Sequence, residues 1–455
     1  MRWQPWCAEA FQHASETGRP ILLFITTSWS QGCHEMERLA FGDPRVAAMA
    51  SDRCVPVRVD ADLRPDISER YALDGWPSTL LLTGTGEILR GGNYFDAGAL
   101  ADLLEGTSAA YRAAKDDLDR RAADARARRV ARAAEAAPGG PAREVAPEIA
   151  AFLLDQVDTA GGFRGGPKYL HADAILFLLR YGASRSLDAA TAAALRTLDV
   201  ADASPLCAED GRVFRCAARA DWTEPATELC AESHVAALRA FVEGAVAGDG
   251  NRHIGRVRRI AEFAASRWLA GEGERLVTDV AAELAAACLS AARVLDDGAL
   301  GQRAIAAMER AILATYRPGR GVAHFEGAGA PVLLSDHVSA IRALLDAHEA
   351  TGAVPYSMLA EELGHFLVRS LFDERASSFR DRLHADGDLG RLAEPLYPFR
   401  QNALAAAALQ RLASVSGEPA FAEASARTLA WCASRWRAHG LDAAACGLAA
   451  LAPPR

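Results

Sequence analysis

No Cys-x-x-Cys pair occurs anywhere in the 455 residues, although there are nine cysteines. That removes the commonest spacing for a structural zinc site. Cys207, Cys216 and Cys230 come nearest to a cluster, but their spacings are poor for a metal. An odd, scattered set of cysteines suits reduced, buried thiols better than a disulfide framework. Long apolar runs are missing too: Ile21–Ile25 is far too short to span a bilayer. The opening "MRWQPWCAEAFQHASETG" has no apolar core of the kind a signal peptide needs, so a cytoplasmic location is expected. Charge of one sign is also scarce. The net charge of −9 leaves no electrostatic footprint for nucleic acid. The Arg cluster "RRAADARARRVAR" (120–132) is flanked by acids and reads as a solvated helix face. Neither nucleic acid nor a membrane is expected as a partner, and nothing in the residues calls for a cofactor.

What is present divides into two halves. Residues 1–114 alternate helices and strands. "PILLFITT" and "CVPVRVD" read as strands around the helix "GCHEMERLAF", and a "GTG" turn joins "STLLLT" to "EILRGGNY" as a hairpin. Strand–helix–strand followed by hairpin–helix is the order of a thioredoxin fold. A helical linker follows at 115–143, ending in "PGGP" (138–141). From 144 to 455 strands vanish, and about twelve segments carry apolar residues at helical spacing. They fall near 145–158, 171–182, 187–202, 231–247, 253–270, 279–296, 300–315, 336–352, 355–372, 400–416, 418–438 and 441–451. The links between them alternate short ("ASRS", "GDGN", "DDG", "GA") and mostly long (159–170, 203–230, 316–335, 373–399). The expected architecture is α/β plus all-α: a thioredoxin-like domain, then an (α/α)6 toroid of about six helical hairpins whose long loops crowd one rim.

In "TTSWSQGCHEMERLAF" (26–41) Trp29 and Cys33 hold thioredoxin-site positions, but Ser30 stands where the attacking Cys belongs. A helix N-terminus turns a Cys into a thiolate, and a second Cys resolves the mixed disulfide. A Ser hydroxyl does not ionise without a strong base, whereas Ser is a good N-cap. Ser30 is therefore expected to cap the helix and Cys33 to be a leftover thiol. His34 would activate Ser30 only if turned toward it. Pro77 in "GWPSTLL" takes the place of the cis-proline beside such a site.

Several motifs together resemble the family named after spermatogenesis-associated protein 20, also called DUF255. They are "WQPWCAEAF" (3–11), "RPILLF" (19–24), "SQGCHEME" (30–37), "VDADLRPDI" (59–67) and "GWP" (75–77). In the second half "GGFRGGPKYL" (161–170), "GRVFRCAARADWTEPATELCAESH" (211–234), "LSDHVSAIRALL" (334–345) and "RQNALAAAALQRLA" (400–413) continue the resemblance. It implies a thioredoxin-like domain joined to a toroid of the N-acylglucosamine 2-epimerase type. The family's C-H-W-C becomes Ser30–Cys33, its P-H-F-E-K becomes Pro225–Leu229 with only Glu228 kept, and its D-N becomes Ser233-His234. The family's upstream S-P-Y-L-L-Q-H-A stretch is missing, as in a shortened, diverged member.

On the long-loop rim, aromatic, acidic and basic residues suit a carbohydrate-like ligand. Lys168, Tyr169, Arg215, Trp222, Arg400 and Asn402 are candidates for binding it. Glu228 and Asp381 are candidate catalytic carboxylates, joined by His324 and His234, since epimerases of this fold use two His. Packing is the competing role: Trp222 and Tyr169 as loop anchors, His234 as a core histidine. Two other readings stay open: a thiol-redox protein working through Cys33 alone, and a non-catalytic scaffold with a protein partner on the thioredoxin-like domain.

Overall fold

Alternation decides the first half. The computed structural model describes residues 1–73, 75–133, 145–248, 252–270 and 276–451. The chain runs α1 (Ala8–Thr17), β1 (Ile21–Thr26), α2 (Gln31–Leu39), α3 (Pro44–Arg53), β2 (Val55–Asp60), α4 (Pro65–Tyr71), β3 (Ser78–Leu82), β4 (Ile88–Gly92), α5 (Ala97–Ala113) and α6 (Lys115–Ala133). The sheet order is β2-β1-β3-β4, with β1 parallel to β2 and the other pairs antiparallel. β1 is buried along its whole length because both faces are covered. Ile21, Leu23 and Ile25 enter one apolar cluster, Leu22 and Phe24 the other. The period of two thus feeds two cores from one strand.

The chain divides into two units, residues 1–135 with 382–396, and residues 136–381 with 397–455. The sequence boundaries gave 382–396 to the second domain; in the structure this segment packs on the first. Leu392 is 3% exposed and joins the cluster of Phe11 and Tyr71. Around it the polar groups are paired. Tyr71 accepts from the Arg391 amide at 2.8 Å, Arg70 donates to the Arg391 and Glu394 carbonyls, and Arg129 joins Glu87 to Glu394. The basic run on α6 therefore has at least two arginines with a structural task, since Arg126 also lies 3.6 Å from Glu394.

In the second unit the helices are α7 (Val145–Gln156), α8 (Ala172–Arg185), α9 (Asp188–Ala203), α10 (Ala231–Ala247), α11 (Ile254–Ala264), α12 (Thr278–Leu295), α13 (Gly298–Thr315), α14 (Leu334–Thr351), α15 (Val354–Ser370), α16 (Phe399–Ser416), α17 (Pro419–Ala433) and α18 (Ala443–Leu451). A π-helical turn, Ala265–Leu269, extends α11. The "PGGP" segment and part of "GDGN" lie outside the described residues. The even-numbered helices pack in the order α8-α10-α12-α14-α16-α18 and back to α8, closing a ring, with the odd-numbered ones outside it. This is an (α/α)6 toroid, and the long links all enter the N-termini of the inner helices. Among the described residues no helix is long and apolar enough to cross a membrane.

The long links share one device. Four contain a narrow hairpin, closed by Val157 with Phe163, Cys207 with Val213, Tyr316 with Val322, and Phe372 with Phe379. Three are latched to the fourth residue of the next inner helix. His234 Nε2 accepts from the Val213 amide and His337 Nε2 from the Val322 amide, each at 3.1 Å. Asn402 Oδ1 accepts from the Phe379 amide at 2.6 Å while its Nδ2 donates to the Phe379 carbonyl at 2.9 Å. Burial holds both imidazoles down at about 4, so they stay neutral and can accept. Gly321, at φ 71°, precedes Val322, and a Cβ there would collide with the His337 ring.

Asn402→Ala strands a buried amide and a buried carbonyl of Phe379. It should lower stability by about 3 kcal/mol, measured as the urea midpoint and slope of the full chain.

Candidate functional site

The second residue of four inner helices points to one place. Asp173, Glu232, Asp279 and Arg400 hold that position in α8, α10, α12 and α16, and all four line a cavity of about 380 Å³ at the long-loop rim. One turn deeper, Glu283 and Ser339 continue the wall, with Arg239 below them. A second cavity of about 740 Å³ shares Arg239, Glu283 and Ser339 and runs past Arg180, Arg342 and Asp346 toward the short-link rim. The axis of the ring is thus polar along its length.

Its charges are paired. Arg400 Nε meets Asp173 at 2.7 Å and Arg239 lies 3.2 Å away. Burial alone would raise the Asp173 carboxyl, but the two guanidinium groups outweigh it and hold it well below the usual carboxylate range. Burial likewise works against the ionised Glu283, and Arg342 at 3.2 Å overcomes it. Asp442, on the short turn before α18, behaves differently: partial burial pushes its carboxyl up, Asp173 adds to that, and Arg400 only partly opposes it. The cavity therefore holds ionised pairs beside a carboxyl that keeps its proton to higher pH.

Behind Asp279 lies a buried cluster. Asp336, the third residue of α14, is fully buried, and His324, from the loop before α14, is 2% exposed. His324 Nδ1 donates to Asp336 at 2.9 and 3.1 Å and lies 3.9 Å from Asp279 Oδ1. The Asp279 amide donates to Asp336 Oδ1 at 3.0 Å. Burial, reinforced by the Asp279 carboxylate, pushes Asp336 up to about 7, with His324 pulling the other way.

Of the residues singled out from sequence, Arg400 lines the cavity and His324 stands next to its wall. Several others are engaged in holding loops. Lys168 is 2% exposed, its ammonium on Asp158 and the Phe163 carbonyl and its backbone paired with Ala217. Trp222 is fully buried and donates from Nε1 to the Gly161 carbonyl at 3.1 Å. Asn402 and His234 are the latches described above. Tyr169, Arg215 and Glu228 gather at the loops before α8 and α10: the Arg215 guanidinium lies 5.9 Å from the Tyr169 ring centre and 3.9 Å from Glu228. Asp381 is buried, and its carbonyl accepts from the Leu334 amide at 2.8 Å. Glu228 and Asp381 thus sit on different loops, those feeding α10 and α16, with the Asp381 backbone held at the start of α14. The sequence reading missed Asp173, Arg239, Asp279, Glu283 and Asp442. The available signal was helical phase, a charged residue at the second position of successive inner helices.

In the thioredoxin-like unit, Ser30 is the N-cap residue of α2, but its side chain makes no capping bond. Its Oγ and Pro77 instead both lie within 4 Å of where a Gly32 Cβ would stand. The Trp76–Pro77 bond is cis. His34 is not turned to activate Ser30: its Nε2 is 2.9 Å from the Ser28 carbonyl. Trp29 Nε1 donates to Asp62 at 3.3 Å. Cys33 is fully buried, which suits an inert thiol.

Two outcomes follow from these placements. Iodoacetamide should leave Cys33 unmodified in the native chain and label it once denaturant is added, read by peptide mass spectrometry; rapid native labelling would mean an active thiol. Asp173 is ionised in the folded chain below its unfolded value of about 3.9, so its contribution is present above that pH and lost as pH falls toward the folded value. Asp173→Asn should therefore destabilise at pH 7 by about 2 kcal/mol and much less below pH 3, measured by urea unfolding at both pH values.

Comparison with known proteins fits this division. Residues 1–129 match the family described as a protein of unknown function, DUF255. Human spermatogenesis-associated protein 20 is 34% identical over 101 residues, which is 20% of this chain and 13% of that protein. The chain thus matches only a small part of that relative's length. Among solved structures, a sugar epimerase from a ruminal bacterium aligns with a TM-score of 0.53 at 12% identity, covering 62% of this chain and 82% of its own. Cellobiose 2-epimerase from Bacillus thermoamylovorans B4167 aligns at 0.54 and 9% identity, covering 63% and 84%. At such identities the likeness is one of fold. Residues 1–129 are thus similar to the DUF255 thioredoxin-like domain, and the chain's toroid shares its fold with sugar epimerases.

Proposed function

We propose that the rim cavity of the toroid binds a carbohydrate-like, polyhydroxylated small molecule, and that the thioredoxin-like unit performs no dithiol exchange. The observation that carries the first part is the ionised Asp173–Arg400–Arg239 group at the cavity wall beside Asp442. Guanidinium forks and carboxylates meet vicinal hydroxyls with paired hydrogen bonds, the first donating and the second accepting. Asp442, whose carboxyl burial pushes up, lines the same cavity and is the candidate for an acid acting on such a ligand. The shared fold with sugar epimerases supports the ligand class. The second part rests on Ser30 and the buried Cys33.

The test is thermal-shift screening of the full chain against mono- and disaccharides and their phosphates, followed by calorimetry of any hit. A saturable stabilising hit is expected. Arg400→Lys keeps the charge but loses the planar fork, and should weaken that hit by about tenfold, or 1.4 kcal/mol. Failure of the whole panel, or binding indifferent to Arg400→Lys, overturns the proposal.

A further inference from the structure

The cluster behind the cavity wall has the make-up of a metal site. We propose that Asp279, His324 and Asp336 bind a divalent transition-metal ion of the Zn²⁺, Mn²⁺ or Fe²⁺ class. The three side chains come from separate segments, the start of α12, the loop before α14 and the first turn of α14, and one ligand atom from each lies within 4.8 Å of the others. An ion bonded at about 2.0–2.2 Å holds its ligand atoms about 3–3.5 Å apart. His324 Nδ1 stands 2.9 Å from Asp336 Oδ1 and 3.9 Å from Asp279 Oδ1. With the Nδ1 proton released and the carboxylates rotated inward, one atom from each side chain can reach a shared ion.

The donor set narrows the ion. Two carboxylate oxygens with one imidazole nitrogen suit borderline divalent metals better than Ca²⁺, which prefers six to eight oxygens, or Cu⁺, which prefers sulfur. Charge points the same way. Two carboxyl groups within 4.8 Å of one imidazole, one of them fully buried, give the cluster an acidic excess that a divalent cation offsets. Access is provided by Asp279, whose side chain is 22% exposed and lines the rim cavity. Three protein ligands leave coordination positions open on that side for water or a hydroxyl-bearing ligand. The site stands whether or not a carbohydrate enters the cavity.

The experiment needs no substrate. Full-length protein is stripped with chelator and titrated with Zn²⁺ by calorimetry and with Mn²⁺ by electron paramagnetic resonance. A single saturable site per chain is expected, with a rise in thermal midpoint. Asp279→Asn is the decisive variant, because it is partly exposed and leaves the His324–Asp336 bond in place. It should keep the wild-type circular dichroism spectrum and bind the ion at least about tenfold more weakly. His324→Gln should do the same where it folds. No saturable uptake by the wild type below about 1 mM, or 4.1 kcal/mol of binding, overturns the site. So does undiminished binding by folded Asp279→Asn.

Discussion

A buried backbone amide must find an acceptor, and the long rim of this toroid depends on how that is met. Loops at the mouth of a ring of helices turn inward and carry their amides away from water. Here the polar fourth residue of the following helix, His234, His337 or Asn402, reaches back to the hairpin of the preceding loop. In each case the same side chain also bonds the carbonyl four residues earlier, at Cys230, Leu333 or Pro398. One side chain thus satisfies a helix start and a loop together. The loops are fixed to the helices they feed, and the first-turn residues facing the axis are fixed with them.

The axis follows the opposite chemistry from its surroundings. Away from the axis the buried core is apolar and rich in alanine, as with Ala237, Ala240 and Ala291. Small side chains there bring the helices close. Along the axis the inner faces carry charge instead, and a low-dielectric setting permits that only where opposite charges meet. Asp173 with Arg400, Glu283 with Arg342 and Arg180 with Glu243 are such meetings. A polar cavity held open by its own ion pairs is pre-organised for a polar ligand and resists collapse into an apolar core.

The fold was legible because it is written in periodicity. The apolar spacing of residues 145–451 marks each helix of the ring, and the alternation of short and long links marks the rim. Ser30 in place of a cysteine was equally plain. The cavity was less so. Lys168 and Trp222 in loops, and Asn402 at a helix start, are conspicuous residues, yet their polar atoms serve the loops' backbone. The residues that face the axis, Asp173, Asp279 and Glu283, look in sequence like ordinary surface acids on amphipathic helices. Only the closure of the ring turns that polar face inward. The placement of residues 382–396 had no periodic signal either, since Leu392 sits in a single turn of 3-10 helix.

That same segment gives the chain an order in time. The thioredoxin-like unit draws Leu392, Arg391 and Glu394 from far along the sequence, so its core and its ion pairs are incomplete when residue 135 leaves the ribosome. Roughly 260 further residues must be made before the missing piece arrives, and at about 5–20 residues per second that takes tens of seconds. Through that interval Tyr71 and Glu87 lack Arg391, and Arg129, although it can already meet Glu87, lacks Glu394. The N-terminal unit, although most of it is translated first, is completed late.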